Sequence, residues 1–361
     1  MQKKTFLSFL FLCAAFYSLT AQQKEYTKPA LSNPDSWSLI LLPDPQSYIK
    51  FDYNQPIFEL MTAWIARNAE PLRIGLTLCT GDLVEQNALL VPNGVGGNQT
   101  GTQQWTAVSR AFNRLDGITP YILATGNHDF GIVSAENRRT QYDKYFPAEK
   151  NPLSQKMLRA AGTNADGEPS LINAAYEFVS PQGQAYLVVV LEFAPRDETL
   201  EWAKKLVAQD KYAKHRVILL THTYISHLKG NSKRIENEGY KLSGPNWGEA
   251  VWQKLVQPSR NIGLVLCGHI AGPDDWQQSC GYSTDKNVAG KTVHQMMFDT
   301  QALGGGWNGN GGDGWLRILE FLPDGKTVKV RTFSPFFAAS PTTQPFAWNR
   351  ESFNEFSFEW E

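Results

Sequence analysis

Six short apolar runs punctuate the chain: Trp37–Leu42, Ile74–Cys79, Tyr121–Ala124, Tyr186–Leu191, Arg216–Leu220 and Ile262–Cys267. They are continuous rather than alternating, the pattern of strands covered on both faces. Between them, apolar positions recur at helical spacing. Pro56–Asn68 brings Phe58, Met61, Trp64 and Ile65 to one side, and Gln103–Leu115, Thr199–Ala208 and Trp247–Leu255 behave alike. Alternating strands and helices predict an α/β fold with substantial parallel pairing. Two places break the rhythm. Tyr176–Leu191 holds two strand-like runs around Pro181-Gln182-Gly183-Gln184, which predicts a hairpin. Trp315–Phe321 and Thr327–Thr332 flank Pro323-Asp324-Gly325, a second β-rich pair.

The N-terminal segment follows a different logic. Lys3 and Lys4 precede the apolar run Phe6–Tyr17, and Ser18-Leu19-Thr20-Ala21 follows. This reads as a signal peptide over residues 1–21, cleaved after Ala21. As a helix the run would span only about 18 Å, short of the roughly 30 Å hydrocarbon core; the alternative is an N-terminal anchor. The expectation is an exported protein, periplasmic or secreted, without stable membrane insertion after removal of the signal. Residues 22–361 then form a single domain with a β-rich C-terminal part. Of the 361 residues 42% are hydrophobic, enough for a large core, which excludes a disordered chain. Lys and Arg number 34 against 35 Asp and Glu. That balance argues against nucleic acid as a partner, because such proteins carry a basic excess. Past the signal only Cys79, Cys267 and Cys280 remain. Two of them close apolar runs, so buried thiols are expected rather than a disulfide scaffold.

Candidate chemistry sits where the predicted strands end. Pro43-Asp44-Pro45-Gln46 follows the first run, Thr80-Gly81-Asp82 the second, and Thr125-Gly126-Asn127-His128-Asp129 the third. Thr221-His222-Thr223 and Gly268-His269 follow two later runs. In open α/β sheets ligands bind at the C-terminal strand edge. Asp, Asn and His offer oxygen and imidazole nitrogen to a divalent metal, and the adjoining glycines allow sharp turns. His215, His227 and His294 lack this setting; of these, His227 is the candidate for a peripheral role.

Taken in order, these blocks resemble the calcineurin-like metallophosphoesterases, whose pattern is Asp-x-His, Gly-Asp, Gly-Asn-His-Asp/Glu, a lone His and Gly-His-x-His. The resemblance covers roughly residues 37–335, and Gly126-Asn127-His128-Asp129 is its most specific element. It implies a four-layer fold, a central β-sandwich flanked by helices. It also implies a phosphate-ester hydrolase, for monoesters or diesters, in which metal-bound hydroxide attacks phosphorus. Asp82 would bridge two metals, and Asn127, His222 and His269 would complete the second site. His128 would contact the phosphate or protonate the leaving group, its ring oriented by Asp129.

The sequence departs from the pattern at Gln46 and Ala271, where the family has the two His of the first metal site. Asp44, Gln46 and Asp82 remain there, an oxygen-rich set that favours Mg, Mn or Ca over Zn. Asp274 or Asp275 is a candidate replacement. One or two divalent ions per chain are expected, with Mn, Mg, Fe, Zn and Ca all open. The partner would be a small phosphate ester. The alternative is a catalytically weak or inactive exported binding protein using the same pocket. For substrate contacts, Tyr48, Tyr224, Trp247, Trp276 and Trp307 are candidates for stacking. Glu85 and Asn87 are candidates for the site mouth, and Arg138 and Arg139 for phosphate neutralisation on a helical stretch. The glycine-rich segment 304–314 has no Lys, so it is not a P-loop. It reads as a flexible connection, or as a mobile loop over the site.

Overall fold

The computed structural model describes residues 26–228 and 231–361; the expected signal peptide lies outside them. The apolar runs form strands. Numbered along the chain, they are β1 Trp37–Leu42, β2 Ile74–Cys79, β3 Tyr121–Leu123, β4 Leu158–Thr163, β5 Pro169–Val179 and β6 Ala185–Val190. Then come β7 Arg216–Leu220, β8 Ile225–Leu228, β9 Asn231–Arg234, β10 Ile262–Cys267, β11 Cys280–Lys286 and β12 Thr292–Phe298. The last four are β13 Leu316–Phe321, β14 Thr327–Phe333, β15 Trp348–Asn349 and β16 Phe356–Glu359.

They make two mixed seven-stranded sheets. One runs β15-β14-β13-β1-β2-β3 with β16 also on β14, and the other runs β11-β12-β10-β7-β6-β5-β4. β1, β2 and β3 are parallel, as are β6, β7, β10 and β12. The hairpin expected around 181–184 joins β5 to β6. Polar β11, missed by a search for apolar runs, is an antiparallel edge strand on β12.

Side chains of successive residues leave opposite faces of a strand, and this divides the core. Leu39 and Leu41 of β1 face inward with Leu264 and Leu266 of β10 and Ile218 and Leu220 of β7, between the sheets. Ile40 and Leu42 point the other way, onto Phe58, Met61 and Ile65 of helix α1 (Gln55–Asn68) and onto Val108 and Ala111 of α2 (Gly101–Phe112). On the second sheet, Val217, Leu219 and Val265 meet Leu200, Ala203 and Leu206 of α3 (Asp197–Val207). The result is helix, sheet, sheet, helix: the expected four layers. Each fully buried Leu, Ile or Phe contributes about 1.5–3 kcal/mol.

Helix starts follow local chemistry. Thr100 and Gln103 form a reciprocal capping box before α2. α3 carries Asp197 and Glu198 in its first turn and Lys204 and Lys205 in its last, matching the helix dipole. The helix expected over Trp247–Leu255 begins at Gly248 and widens into a π-helical turn from Trp252 to Val256. Cys79, Cys267 and Cys280 are free and buried, as expected.

Candidate metal centre

Because β1, β2 and β3 run parallel, their C-terminal ends deliver Asp44, Asp82 and Asn127 to one edge of the first sheet. β7 and β10 deliver His222 and His269 from the second sheet. The two edges are stitched together. His222 Nδ1 lies 3.0 Å from the Thr80 carbonyl, and the His269 N–H donates to Asp44 Oδ2 at 2.9 Å. Close approach explains two glycines of the motifs. A Cβ on Gly126 would collide with Asp82 Oδ1, and one on Gly268 with Asp44 Oδ1. Asp82 and His269 themselves sit at positive φ, 45° and 74°. Such strained non-glycine conformations concentrate at functional sites.

Hydrogen bonds fix which ring nitrogens face inward. A carbonyl can only accept, so Thr80 holds His222 in its Nδ1–H form and leaves the Nε2 lone pair free. That lone pair faces Asp82 Oδ2 at 3.2 Å, Asn127 Oδ1 at 3.2 Å and His269 Nδ1 at 3.1 Å. His269 Nε2 lies 2.7 Å from Glu238 Oε1, so it carries the proton and its Nδ1 is the free acceptor. Asn127 gives its amide N–H to Ser134 Oγ at 2.9 Å, which turns its oxygen inward. Four acceptors therefore converge around Asp82 with no donor among them. Metal–ligand bonds of about 2.0–2.2 Å place neighbouring ligand atoms on the order of 3 Å apart. The observed spacing fits a divalent cation held by Asp82, Asn127, His222 and His269.

The charges agree. Burial alone would raise the Asp82 pKa, but His222, His128 and His269 outweigh it and hold the carboxyl at about 2. Burial works against a charged His269, yet the hydrogen bond to the Glu238 carboxylate overrides it and raises the imidazole. Asp44 is fully buried; its pKa is pushed up by burial, then by Asp299 and Asp82. Asp44 Oδ1 takes the Thr80 hydroxyl at 2.5 Å. Its approach to the imidazoles is looser, with Oδ2 at 3.9 Å from His222 Nδ1. Gln46 is buried, and its Oε1 has no partner.

The motif reading missed a supporting ring. Glu238, besides holding His269, takes the Thr223 hydroxyl at 3.2 Å. Tyr240 reaches Ser134, which holds Asn127, and its ring lies against Phe193, 5.1 Å between centroids. Both side chains come from the polar segment after β9, which carries no period or motif to find. Asp299, at the exit of β12, is also fully buried beside Asp44. Only its place after a strand would have singled it out.

Around His128 one expectation needs correcting. Its Nδ1 lies 2.7 Å from the Glu85 carbonyl, which makes Nδ1 the protonated nitrogen and leaves Nε2 outward. Its backbone N–H donates to Asp82 Oδ1 at 2.9 Å. Asp129 does not orient the ring. It accepts the backbone N–H groups of Leu83, Val84 and Gly126 at 3.1, 3.1 and 2.8 Å, tying the second and third motif loops together.

Several peripheral candidates are structural. Asn87 is buried, bonding the Gly131 carbonyl and the Trp105 indole. The Glu85 side chain faces Lys50 at 3.7 Å. Arg138 lies in a turn rather than a helix and spends its guanidinium on the carbonyls of Phe193, Ala194 and Ser243. Arg139 is exposed in the same turn. Tyr48 and Tyr224 are fully buried and Trp247 nearly so, leaving no face for a ligand, whereas Trp307 is 43% exposed. Asp274 accepts the Gly305 N–H, and Asp275 caps the helix Trp276–Ser279. Segment 304–314 is an ordered turn docked on Tyr48, whose hydroxyl accepts the Gly314 N–H at 2.9 Å.

Comparison with known proteins identifies the family. An uncharacterized protein of Bacillus subtilis (strain 168), YvnB, is 27% identical over 310 residues, 84% of this chain and 20% of YvnB. The chain thus spans about a fifth of that relative's length. Among solved structures, the purple acid phosphatase PPD1 of yellow lupin (Lupinus luteus) aligns with a TM-score of 0.48 and 13% identity, over 92% of this chain and 55% of that one. A dimetal phosphatase from Danio rerio aligns with a TM-score of 0.45 and 11% identity, over 90% and 99%. The family model for calcineurin-like phosphoesterases matches residues 46–273, more than half of the chain and all of its motif loops beyond Asp44. The chain therefore belongs to the calcineurin-like phosphoesterase family.

Proposed function

We propose that this protein is an exported hydrolase of small phosphate esters, dependent on a divalent metal at the Asp82, Asn127, His222 and His269 group. The observation that carries the reading is the convergence of four acceptor atoms, two of them imidazole nitrogens whose protons are fixed on the far side of the ring. A cation bound there supplies Lewis acidity toward a phosphoryl oxygen and acidifies water at neutral pH.

The remaining work falls to the chain itself. Glu85 fixes the His128 ring through Nδ1, so Nε2 is the atom that contacts substrate. As imidazolium it donates a hydrogen bond to a phosphoryl oxygen, and it can pass that proton to the departing alkoxide. Asp129 keeps His128 in place indirectly, by locking the loop backbone on either side of Asp82. Export rests on the N-terminal pattern of Lys3, Lys4 and the apolar run Phe6–Tyr17; the mass of the mature N-terminus in a fractionated culture tests it.

The test of the chemistry uses 4-nitrophenyl phosphate and bis(4-nitrophenyl) phosphate with Mn or Mg, with and without chelator. The reading expects turnover of at least one ester, abolished by chelation. His128→Ala should lower kcat by about 100-fold or more while metal content stays the same. Metal binding without turnover of either ester would favour a binding protein instead.

A further inference from the structure

One further strand exit reaches the site edge without belonging to any motif. β12 pairs in parallel with β10, Leu264 opposite His294 through Cys267 opposite Met297. Asp299, directly after β12, therefore emerges beside the His269 loop, and it is completely buried. Its Oδ1 accepts the Gln301 N–H at 3.1 Å and its Oδ2 the Gln301 amide at 2.9 Å. The Asp44 carboxyl lies within hydrogen-bonding reach of it. Asp44 is equally buried and already takes the Thr80 hydroxyl and the His269 N–H.

Two buried carboxyls in contact cannot both hold bare charge; they share a proton or a cation. A separate observation favours the cation. Gln46, two residues beyond Asp44 on the same strand exit, is 4% exposed, and its Oε1 has no hydrogen-bond partner. Its backbone is anchored by donating to the Asp82 carbonyl at 3.0 Å. The neighbouring Ser47 touches Gln301, the residue that holds Asp299, at 3.4 Å. An unpaired buried amide oxygen is costly unless something positive meets it.

We propose that Asp299 is a metal ligand, forming with Asp44 and Gln46 an all-oxygen site for a hard divalent cation next to the imidazole-bearing group. With no nitrogen or sulfur donor, the site takes Mg or Mn in preference to Zn. It rests on the reading of the Asp82 group as a metal centre, and it names the residue that stands in for the two His absent at Gln46 and Ala271.

Stripped full-length protein is titrated with Mn, and bound metal is counted by equilibrium dialysis and by the EPR signal of free Mn. Wild type should bind two equivalents and Asp299→Asn one, with the remaining equivalent unchanged in affinity. Zn should saturate tightly at one equivalent in both proteins. Asn replaces the carboxyl with an isosteric group whose N–H can donate to Asp44, so the stripped variant should melt no lower than stripped wild type. One Mn in both proteins overturns the proposal and means that Asp44 and Asp299 share a proton. Two Mn in both also overturns it. No Mn in either refutes the underlying metal centre as well, and so separates the two failures.

Discussion

Glu238 gives the sharpest test of how the site is held. It touches none of the four converging acceptors as a ligand. It accepts the His269 Nε2–H at 2.7 Å and the Thr223 hydroxyl at 3.2 Å, and so keeps Nδ1 bare and aimed at the cluster. A hydrogen bond to a charged group is worth about 1.5–3 kcal/mol. The Glu238 side chain is 14% exposed, which places it in the lower half of that range, about 1.5–2 kcal/mol. Glu238→Ala should therefore weaken Zn or Mn binding by about 10- to 30-fold, since each 1.4 kcal/mol is tenfold. Glu238→Gln keeps an acceptor without the charge and should lose only about three- to fivefold. The assay is competition against a chromogenic chelator at constant pH and ionic strength.

A residue that merely braced the loop would behave differently. Its loss would lower the melting temperature of the metal-free protein and leave the affinity of the folded fraction alone. The expectation here is the reverse: nearly equal melting without metal, and a smaller metal-induced rise in the variant. Unchanged affinity in Glu238→Ala, or the same loss in Gln as in Ala, would refute the argument that a charged acceptor on Nε2 tunes the site.

Three other outcomes follow from single contacts. Gly126→Ala pushes a methyl group into Asp82 Oδ1, so it should destabilise by about 1–3 kcal/mol and lower metal content, read by urea midpoint and atomic absorption. Leu78→Ala removes a fully buried side chain between the sheets and should cost about 2–5 kcal/mol with metal stoichiometry unchanged, measured by chemical denaturation. His294 takes the Tyr282 hydroxyl on Nδ1 at 2.7 Å and gives Nε2–H to the Glu359 carbonyl at 2.9 Å. Burial lowers its pKa, so its contribution is fully present above the unfolded pKa of about 6.5 and is lost as pH falls below it. His294→Gln should flatten the decline in stability between about pH 7 and 5; an unchanged slope would show that this imidazole is not the group being charged.

The layered fold was legible because buried parallel strands leave dense apolar runs. All six runs became strands within a residue or two, and three of the four helical stretches became full helices. Strands with polar or mixed composition were not legible. β4, β9 and β11 lie half-exposed at edges or in the small two-stranded sheet, where no continuous apolar run is required. The helix from Trp247 ends in a π-helical turn, a change of hydrogen-bond spacing that hydrophobic periodicity does not encode.

The site divides along the same physical line. Asp44, Asp82, Asn127, His222 and His269 were readable because a strand exit constrains position: whatever residue follows the strand must appear at that edge. Glu238 and Tyr240 come from a loop with no such constraint, and their roles exist only once the chain has folded back over His269 and Ser134. Asp129 shows the converse. Its motif pointed to the neighbouring imidazole, yet a buried carboxyl surrounded by three unpaired backbone N–H groups binds those first, because leaving them unmet costs more than releasing a histidine ring that a carbonyl can hold as well. Motif spacing identifies which atoms meet. Which of them become ligands, and which serve to hold ligands still, is decided by the tally of buried donors and acceptors. At this edge acceptors outnumber donors around Asp82, an imbalance that a bound divalent cation would offset.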